Sequence, residues 1–290
     1  MVHERRPACV GRPRHGPGLY AGVGHRGNGG GAWRARGAVV NQKAVSDAPR
    51  VVVSVVSHGQ GALIAHLFSD IAAVCRTPVH VVLTVNRPEA LPDLASPFPV
   101  TVVRNAVARG FGANHNAAAT AVPSDIFCVV NPDVRLRRDP FPSLIARLEG
   151  LDVGVAVPLV VGSAGEVQDS LRSWPTPLGA LRRFIAGGRP ADRGDDWAAG
   201  MFMAFKTATF RAVGGFDPGY HLYYEDCDLC CRLRLAGLRV AMAPDVVVVH
   251  DGQRTSHHHP RYLLWHARSA LRFFRSAAYR RLRARRARSP

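Results

Sequence analysis

Residues 48–72 read APRVVVSVVSHGQGALIAHLFSDIA, and the pattern of this stretch sets the fold. Val51 to Val56 is an apolar, largely β-branched run of the kind that forms a strand buried on both faces. Ser57, His58 and Gly59 make its polar exit turn, and from Leu63 to Val74 apolar residues return at helical spacing. Strand, turn and helix in this order are the rhythm of an α/β domain with a largely parallel sheet.

The rhythm continues downstream. Val79 to Val85 is a second strand, ended by Asn86 and Arg87, and Val100 to Arg104 is a third. ARGFGANHNAAATA, residues 108–121, is a glycine-bearing loop running into a helix, and DIFCVVNPDVRL, residues 125–136, is a buried strand ended by Asn131, Pro132 and Asp133. Polar groups therefore gather at strand C-termini, the edge at which open α/β sheets bind ligands.

Of the 290 residues 47% are apolar, enough to bury a sizeable core. The formal charge of +17 is concentrated at the ends: residues 1–48 hold eight Lys/Arg against two acids, and residues 261–290 hold ten against none. Residues 49–260 are close to neutral, so the folded surface lacks the basic footprint of a duplex binder and no nucleic-acid partner is expected. Cys9, Cys75, Cys128, Cys227, Cys230 and Cys231 form no even framework and no zinc spacing, and they read as reduced thiols of a cytoplasmic protein, the last three as core packing. There is no apolar run of about eighteen residues and no signal-like N-terminus, so the chain reads as neither membrane-spanning nor secreted. Residues 1–48, dense in Gly, Arg and Pro, read as a disordered arm ahead of a domain over 49–260, and residues 1–47 are expected to be dispensable.

Three places carry chemistry. The loop with Gly110 and Gly112 lacks the third glycine of a dinucleotide fingerprint, and reads as a phosphate-handling loop or as a tight turn into a helix. Asp133, just past a buried strand and a proline, has little packing purpose; a hard cation is held by one or two such carboxylates together with substrate phosphates. YYEDCDLCCRLRLAGLRV, residues 223–240, sets Glu225, Asp226 and Asp228 ahead of a helix that Gly237 would cap, with Leu229, Leu233 and Ala236 on one face. Acids there can cap the helix, line a solvated edge, or take a proton.

Together RNAVARGFGANHNAAA (104–119), FCVVNPDVRL (127–136) and WAAGMFMAFKTATFRAVGGFDPGYHLYYEDCDLCCRLRLAGLRVAMAPDVVVVH (197–250) resemble the family 2 glycosyltransferases of GT-A fold, especially their bacterial rhamnosyltransferase-like branch. The resemblance runs from Arg50 to about Phe274 and is most specific in the last segment. It implies a mostly parallel central sheet flanked by helices. It also implies inverting transfer of a sugar, rhamnose among the candidates, from a nucleotide-sugar donor to a glycan or lipid-linked glycan acceptor of the cell envelope. A divalent metal, Mg²⁺ or Mn²⁺, is the implied cofactor. The metal carboxylate would be Asp133, with His250, ending the strand Val246 to Val249, completing the metal or diphosphate site. Arg109, Gly110, Phe111 and Asn116 would lie near the donor. Ser57 and His58 stand where the family commonly carries a Tyr-Asn or similar pair near the base, and Asn86 where it commonly carries an Asp, and these departures leave the nucleotide open among dTDP, UDP and GDP. Trp197, Gly200, Glu225 and Asp228 would face or support the acceptor.

Asp226 is the expected general base, standing just ahead of the helix and kept ionised by its dipole, while Asp228 in the first turn caps it. A diphosphate leaves without a protonating acid, so one carboxylate and one cation site suffice, in contrast to a hydrolase's carboxylate pair. A non-catalytic nucleotide-sugar binder of the same fold and a basic-tailed scaffold are the competing readings. In residues 261–290, Leu263, Leu264, Ala267, Leu271, Phe274 and Ala278 recur at helical spacing among arginines. This basic amphipathic helix reads as a packed terminal helix or as a peripheral attachment to an anionic membrane surface on the cytoplasmic side, carried by the charge of residues 276–290.

Overall fold

The computed structural model describes residues 50–91, 96–185, 194–250 and 260–288. All of them belong to one compact unit, Ser46–Pro290. The arm expected over residues 1–48 lies outside the described residues.

Strand β1 (Val51–Ser57) is buried along its whole length because helices cover both its faces. Helix α1 (Gly61–Val74) sets Ile64, Leu67, Phe68 and Ile71 into one core with Val51, Val53 and Val55. Strands β2 (Val79–Val85) and β3 (Val100–Arg104) follow, then α2 (Phe111–Ala121), whose Ala118 and Ala119 share the second core with Val52 on the opposite face. Small residues on α2 let it lie close to the sheet. Truncating one fully buried side chain such as Leu67 to alanine would cost roughly 2–5 kcal/mol.

After β4 (Ile126–Val130) and the short β5 (Val134–Leu136) come α3 (Phe141–Leu148) and β6 (Val153–Val161). A two-stranded ribbon, β7 (Leu171–Arg172) with β8 (Trp197–Ala198), brackets α4 (Pro177–Ile185) in sequence, and β9 (Phe202–Lys206) leads into α5 (Thr207–Ala212). Helix α6 (Glu225–Leu235) and β10 (Arg239–His250) complete the sheet domain. The eight-stranded sheet has the order β3-β2-β1-β4-β9-β6-β10-β5. β1, β2, β3 and β4 pair in parallel, as do β6 and β10; β9 is antiparallel to both neighbours and β5 to β10. The C-terminal ends of β1, β2 and β4 consequently share one edge, with Ser57, Asn86 and Asn131 to Asp133 along it.

Helix α6 begins earlier than expected. All three acids lie in its first turn, so Asp226 is inside the helix and not ahead of it. The entry is made by Tyr223 and Tyr224, both left-handed at φ 71° and 67°, which turn the chain sharply into the helix without a side-chain cap. The far end is as anticipated: Gly237 takes φ 85°, with Leu238 N–H donating to Leu233 O (2.9 Å) and Gly237 N–H to Arg234 O (3.1 Å), a Schellman closure. Cys128, Cys227, Cys230 and Cys231 are buried, unbonded thiols.

The C-terminal segment is two helices, α7 (Pro260–Arg275) and α8 (Ala277–Arg286), broken at Ser276, whose Oγ accepts the Tyr279 N–H at 3.0 Å. Phe273, Tyr279 and Leu282 are buried in the same core as Cys227, Cys230 and Leu229 of α6. The boundary expected at residue 260 is thus not a break in packing. The residues expected to form a membrane-attaching tail, from 276 onward, instead dock α8 against α6. The expected apolar stripe is also revised: Phe274 and Ala278 turn inward, and the leucines do not. No helix among the described residues is long and apolar enough to cross a membrane.

Candidate active site

Asp226 is partly buried at the head of α6. Its Oδ2 accepts the Gly200 N–H at 3.0 Å and its Oδ1 the Cys227 N–H at 2.8 Å. Gly200 lies against Phe111, where a Cβ would stand 3.2 Å from the ring and 3.8 Å from Asp226 Cβ. Next to it, Met201 O accepts the Asn131 N–H at 2.9 Å. The glycine loop, the β4 exit and the acidic helix therefore meet through Gly200 and Met201.

Burial dominates the electrostatics here. Glu225 is 4% exposed, and its Oε2 has no hydrogen-bond partner. Its carboxyl is pushed up to about 8, first by burial and then by the adjacent Asp226 charge. Asp226 is also raised, because loss of water outweighs the two N–H donors and the field of Arg172. Burial thus works against the helix dipole expected to keep Asp226 ionised. Backbone N–H groups reach both acids; because the Asp226 charge raises Glu225 and not the reverse, Asp226 is the member of the pair that ionises first. Asp228 is buried and raised by burial, against which the Arg232 guanidinium, 2.9 Å away, pulls it down. Arg232 also donates to Val213 O, so Asp228 ties the helix to the preceding turn.

On the donor side, Gly110 is required by close approach: a Cβ would lie 2.8 Å from the carbonyl oxygens of Tyr220 and His221, and Phe111 N–H donates to His221 O at 2.9 Å. The side chain of Arg109 is exposed and has no carboxylate partner among the described residues. Three residues expected to touch the donor are instead consumed internally. Asn86 is fully buried: it donates to Arg109 O and accepts from Arg109 N–H, both at 2.8 Å, and also accepts from Asn105 at 2.7 Å. An aspartate there could not donate, which gives this departure from the family pattern a structural consequence. Asn116 is likewise paired both ways with the backbone of Phe216, at 2.7 and 2.9 Å. Ser57 is buried and accepts the Gln60 N–H, closing the β1 turn.

Asp133 and His250 are brought together at 3.3 Å, Oδ2 to Nε2. Gln168 grips His250 twice, its Oε1 accepting from Nδ1 at 2.9 Å and its Nε2 donating to His250 O at 2.7 Å. With Nδ1–H held by Gln168, Nε2 is the ring atom that faces the Asp133 carboxylate, whose Oδ1 is buried and without a hydrogen-bond partner among the described residues. A metal ion seated here would find an imidazole nitrogen and a carboxylate oxygen side by side, with the ring fixed by Gln168. The two residues fit a divalent metal as partial ligands, the remainder coming from diphosphate and water. No group of three or more His, Cys, Asp or Glu suited to a metal occurs among the described residues.

Trp197, expected on the acceptor side, is buried; its Nε1–H donates to Ser173 O at 2.9 Å, and the Arg172 guanidinium lies 5.2 Å from its ring centroid. Its ring backs Arg172, the supporting one of the two places expected for it. Neither Arg172 nor Gln168 belongs to a recognisable motif, so neither was found from sequence. The support from α7 was missed as well: Ser269 Oγ donates to Leu222 O at 2.8 Å, His266 packs on Tyr223 and Tyr224, and Arg272 pairs with Asp217 at 2.8 Å.

A family model described as glycosyltransferase like family 2 matches residues 49–288. The chain is 30% identical over 187 residues to rhamnosyltransferase WbbL of Escherichia coli, covering 57% of this chain and 69% of that protein. It is 26% identical over 201 residues to N-acetylglucosaminyl-diphospho-decaprenol L-rhamnosyltransferase of Mycobacterium tuberculosis, covering 63% of this chain and 65% of that one. Among solved structures, mannosyltransferase PcManGT from Pyrobaculum calidifontis, in complex with GDP-Man and Mn²⁺, superposes with a TM-score of 0.53 at 20% identity, covering 78% of this chain and 65% of that chain.

Proposed function

Because the chain belongs to the glycosyltransferase-like family 2 and has a GT-A fold, we propose that it transfers a sugar, rhamnose before others, from a nucleotide-diphosphate donor to a lipid-linked glycan acceptor at the cytoplasmic face of the cell membrane, with inversion. The observation that carries this reading is Asp226, a carboxylate fixed by two backbone N–H groups, raised by burial, and set beside the glycine loop. Rhamnose is supported by the names of both relatives, and a lipid-linked acceptor by the name of the Mycobacterium tuberculosis one.

The acceptor hydroxyl attacks the anomeric carbon as the bond to the diphosphate oxygen breaks. Its proton passes to Asp226, and the bonding pair departs with the diphosphate. Asp226 is the acid of the pair that ionises first, and its raised pKa makes it a stronger base than an exposed aspartate. Glu225, protonated, keeps a second negative charge out of the site. Arg109, exposed and without a carboxylate partner among the described residues, offers its guanidinium to the phosphates. A divalent cation, when bound, supplies counter-charge for the leaving group; Asp133 and His250 would hold it, with Gln168 fixing the imidazole.

The test is a nucleotide-sugar panel read by diphosphate release, with a polyprenyl-diphosphate-linked N-acetylglucosamine as acceptor. Acceptor-dependent release from a rhamnosyl donor, and a product of inverted anomeric configuration, are expected. Retention of configuration, or no acceptor-dependent release from any donor, would overturn the reading.

A further inference from the structure

Helix α7 has two faces of different character. One is spent on the fold: Phe273 is fully buried, Ser269 holds Leu222 O, and Trp265 stacks on His221 at 4.5 Å. The other exposes Leu263, Leu264 and Leu271 by 45%, 56% and 58%. At about 100° per residue, Leu263, Ala267, Leu271 and Leu264 fall within an arc of roughly 100°, with Arg275 and Arg268 along one margin. Neither arginine has a carboxylate partner among the described residues. At the bend between α7 and α8, an open cleft of about 600 Å³ is lined by Arg268, Leu271, Arg272, Arg275 and Ser276, together with Asp217, whose carboxylate Arg272 occupies. Residues 261–290 contain no acid.

We propose that this face of α7 seats on an anionic bilayer surface, with its leucines at the level of the acyl boundary and the arginines of the cleft on lipid phosphates. A second copy in antiparallel two-fold contact would set one arginine margin against another and repel itself. An uncharged apolar partner would leave the guanidinium groups unmatched. An anionic lipid surface satisfies both the apolar stripe and its charged margin. The consequence, which rests on the transfer reading, concerns the acceptor. The inner side of the same helix holds the turn that leads into Glu225 and Asp226, so seating fixes the acids roughly one helix diameter, about 10 Å, from the lipid. A sugar on a lipid-anchored diphosphate is presented near that height.

The full chain is floated with vesicles of phosphatidylcholine alone and of phosphatidylcholine with about one third phosphatidylglycerol, without donor or acceptor. Binding to the anionic vesicles only, weakening in high salt, is expected. The double variant Leu264→Glu, Leu271→Glu should bind on the order of tenfold more weakly or worse, and Arg268→Glu with Arg275→Glu should do the same, at unchanged melting temperature. Equal binding to neutral vesicles, undiminished binding in high salt, or undiminished flotation of the leucine variant would each overturn the proposal. So would a lipid-free dimer that the leucine variant dissociates in sedimentation. Because no sugar moves in this experiment, its failure leaves the transfer reading standing, and failure of the donor panel leaves vesicle binding untouched.

Discussion

Asp226 and Glu225 are neighbours in sequence with opposite tasks, and substitution separates them. Asp226→Asn removes the base with almost no change of volume, so kcat should fall by roughly 10² to 10⁴ fold while the donor KM stays near the parent's. Glu225→Gln replaces a carboxyl that is already protonated at neutral pH, and turnover at pH 7 should survive. Its effect is on pH dependence. An acid whose carboxyl is raised from 4.5 to about 8 in the folded state favours folding below 4.5 and loses that contribution as pH climbs through 8. Urea unfolding across that window should show stability declining with pH in the parent and a flatter profile in Glu225→Gln. Gln168 is tested by metal affinity alone: Gln168→Ala frees the His250 ring and should weaken Mn²⁺ binding, read by paramagnetic resonance, by about 10 to 100 fold. The acidic pair could be picked out in sequence because its spacing to the glycines and arginines is local. Gln168, 82 positions from His250, could not, since only the fold supplies its partner. The internal partners of Asn86 and Asn116, 23 and 100 positions away, lie equally beyond a local reading.

Among the elements, α6 and α8 show what capping and packing each decide. The C-terminus of α6 was foreseeable because Gly237 is the residue that closes a helix with φ positive. Its start was not, because two tyrosines hold the left-handed turn, an expensive conformation for bulky side chains that the α7 contacts of Tyr223 and Tyr224 help to stabilise. Helix α8 looks like a free basic tail in sequence, yet Tyr279 and Leu282 anchor it on α6. Leu282→Ala should therefore lower stability by roughly 2–5 kcal/mol in denaturant unfolding, whereas replacing the exposed Arg281 or Arg283 should change it by less than about 0.5 kcal/mol. Equal effects of the two kinds of substitution would mean that α8 is not part of the core.

At the scale of the whole molecule, a chain beginning at Ala48 should fold and turn over donor as the full chain does, since β1 begins at Val51 and the family match at residue 49. Circular dichroism and diphosphate release on the shortened chain check this. The sequence by itself determined the alternation of strands and helices, the gathering of polar residues at one edge of the sheet, the near-neutral middle of the chain, and the acidic helix start with its glycine end. Each is a periodic or local property, set by side-chain burial and backbone preference over a few residues. Only the tertiary structure decided which polar groups remain available for chemistry. Asn86, Asn116 and Ser57 are spent on the chain's own backbone, and Asp228 is spent on Arg232, while Asp226 as a residue stays only partly buried and Asp133 keeps an oxygen without a hydrogen-bond partner among the described residues. The fold also decided that the C-terminal helices belong to the core and brace the turn before the acids. These outcomes depend on long-range hydrogen bonds and on loss of water, and both arise only when distant segments pack together.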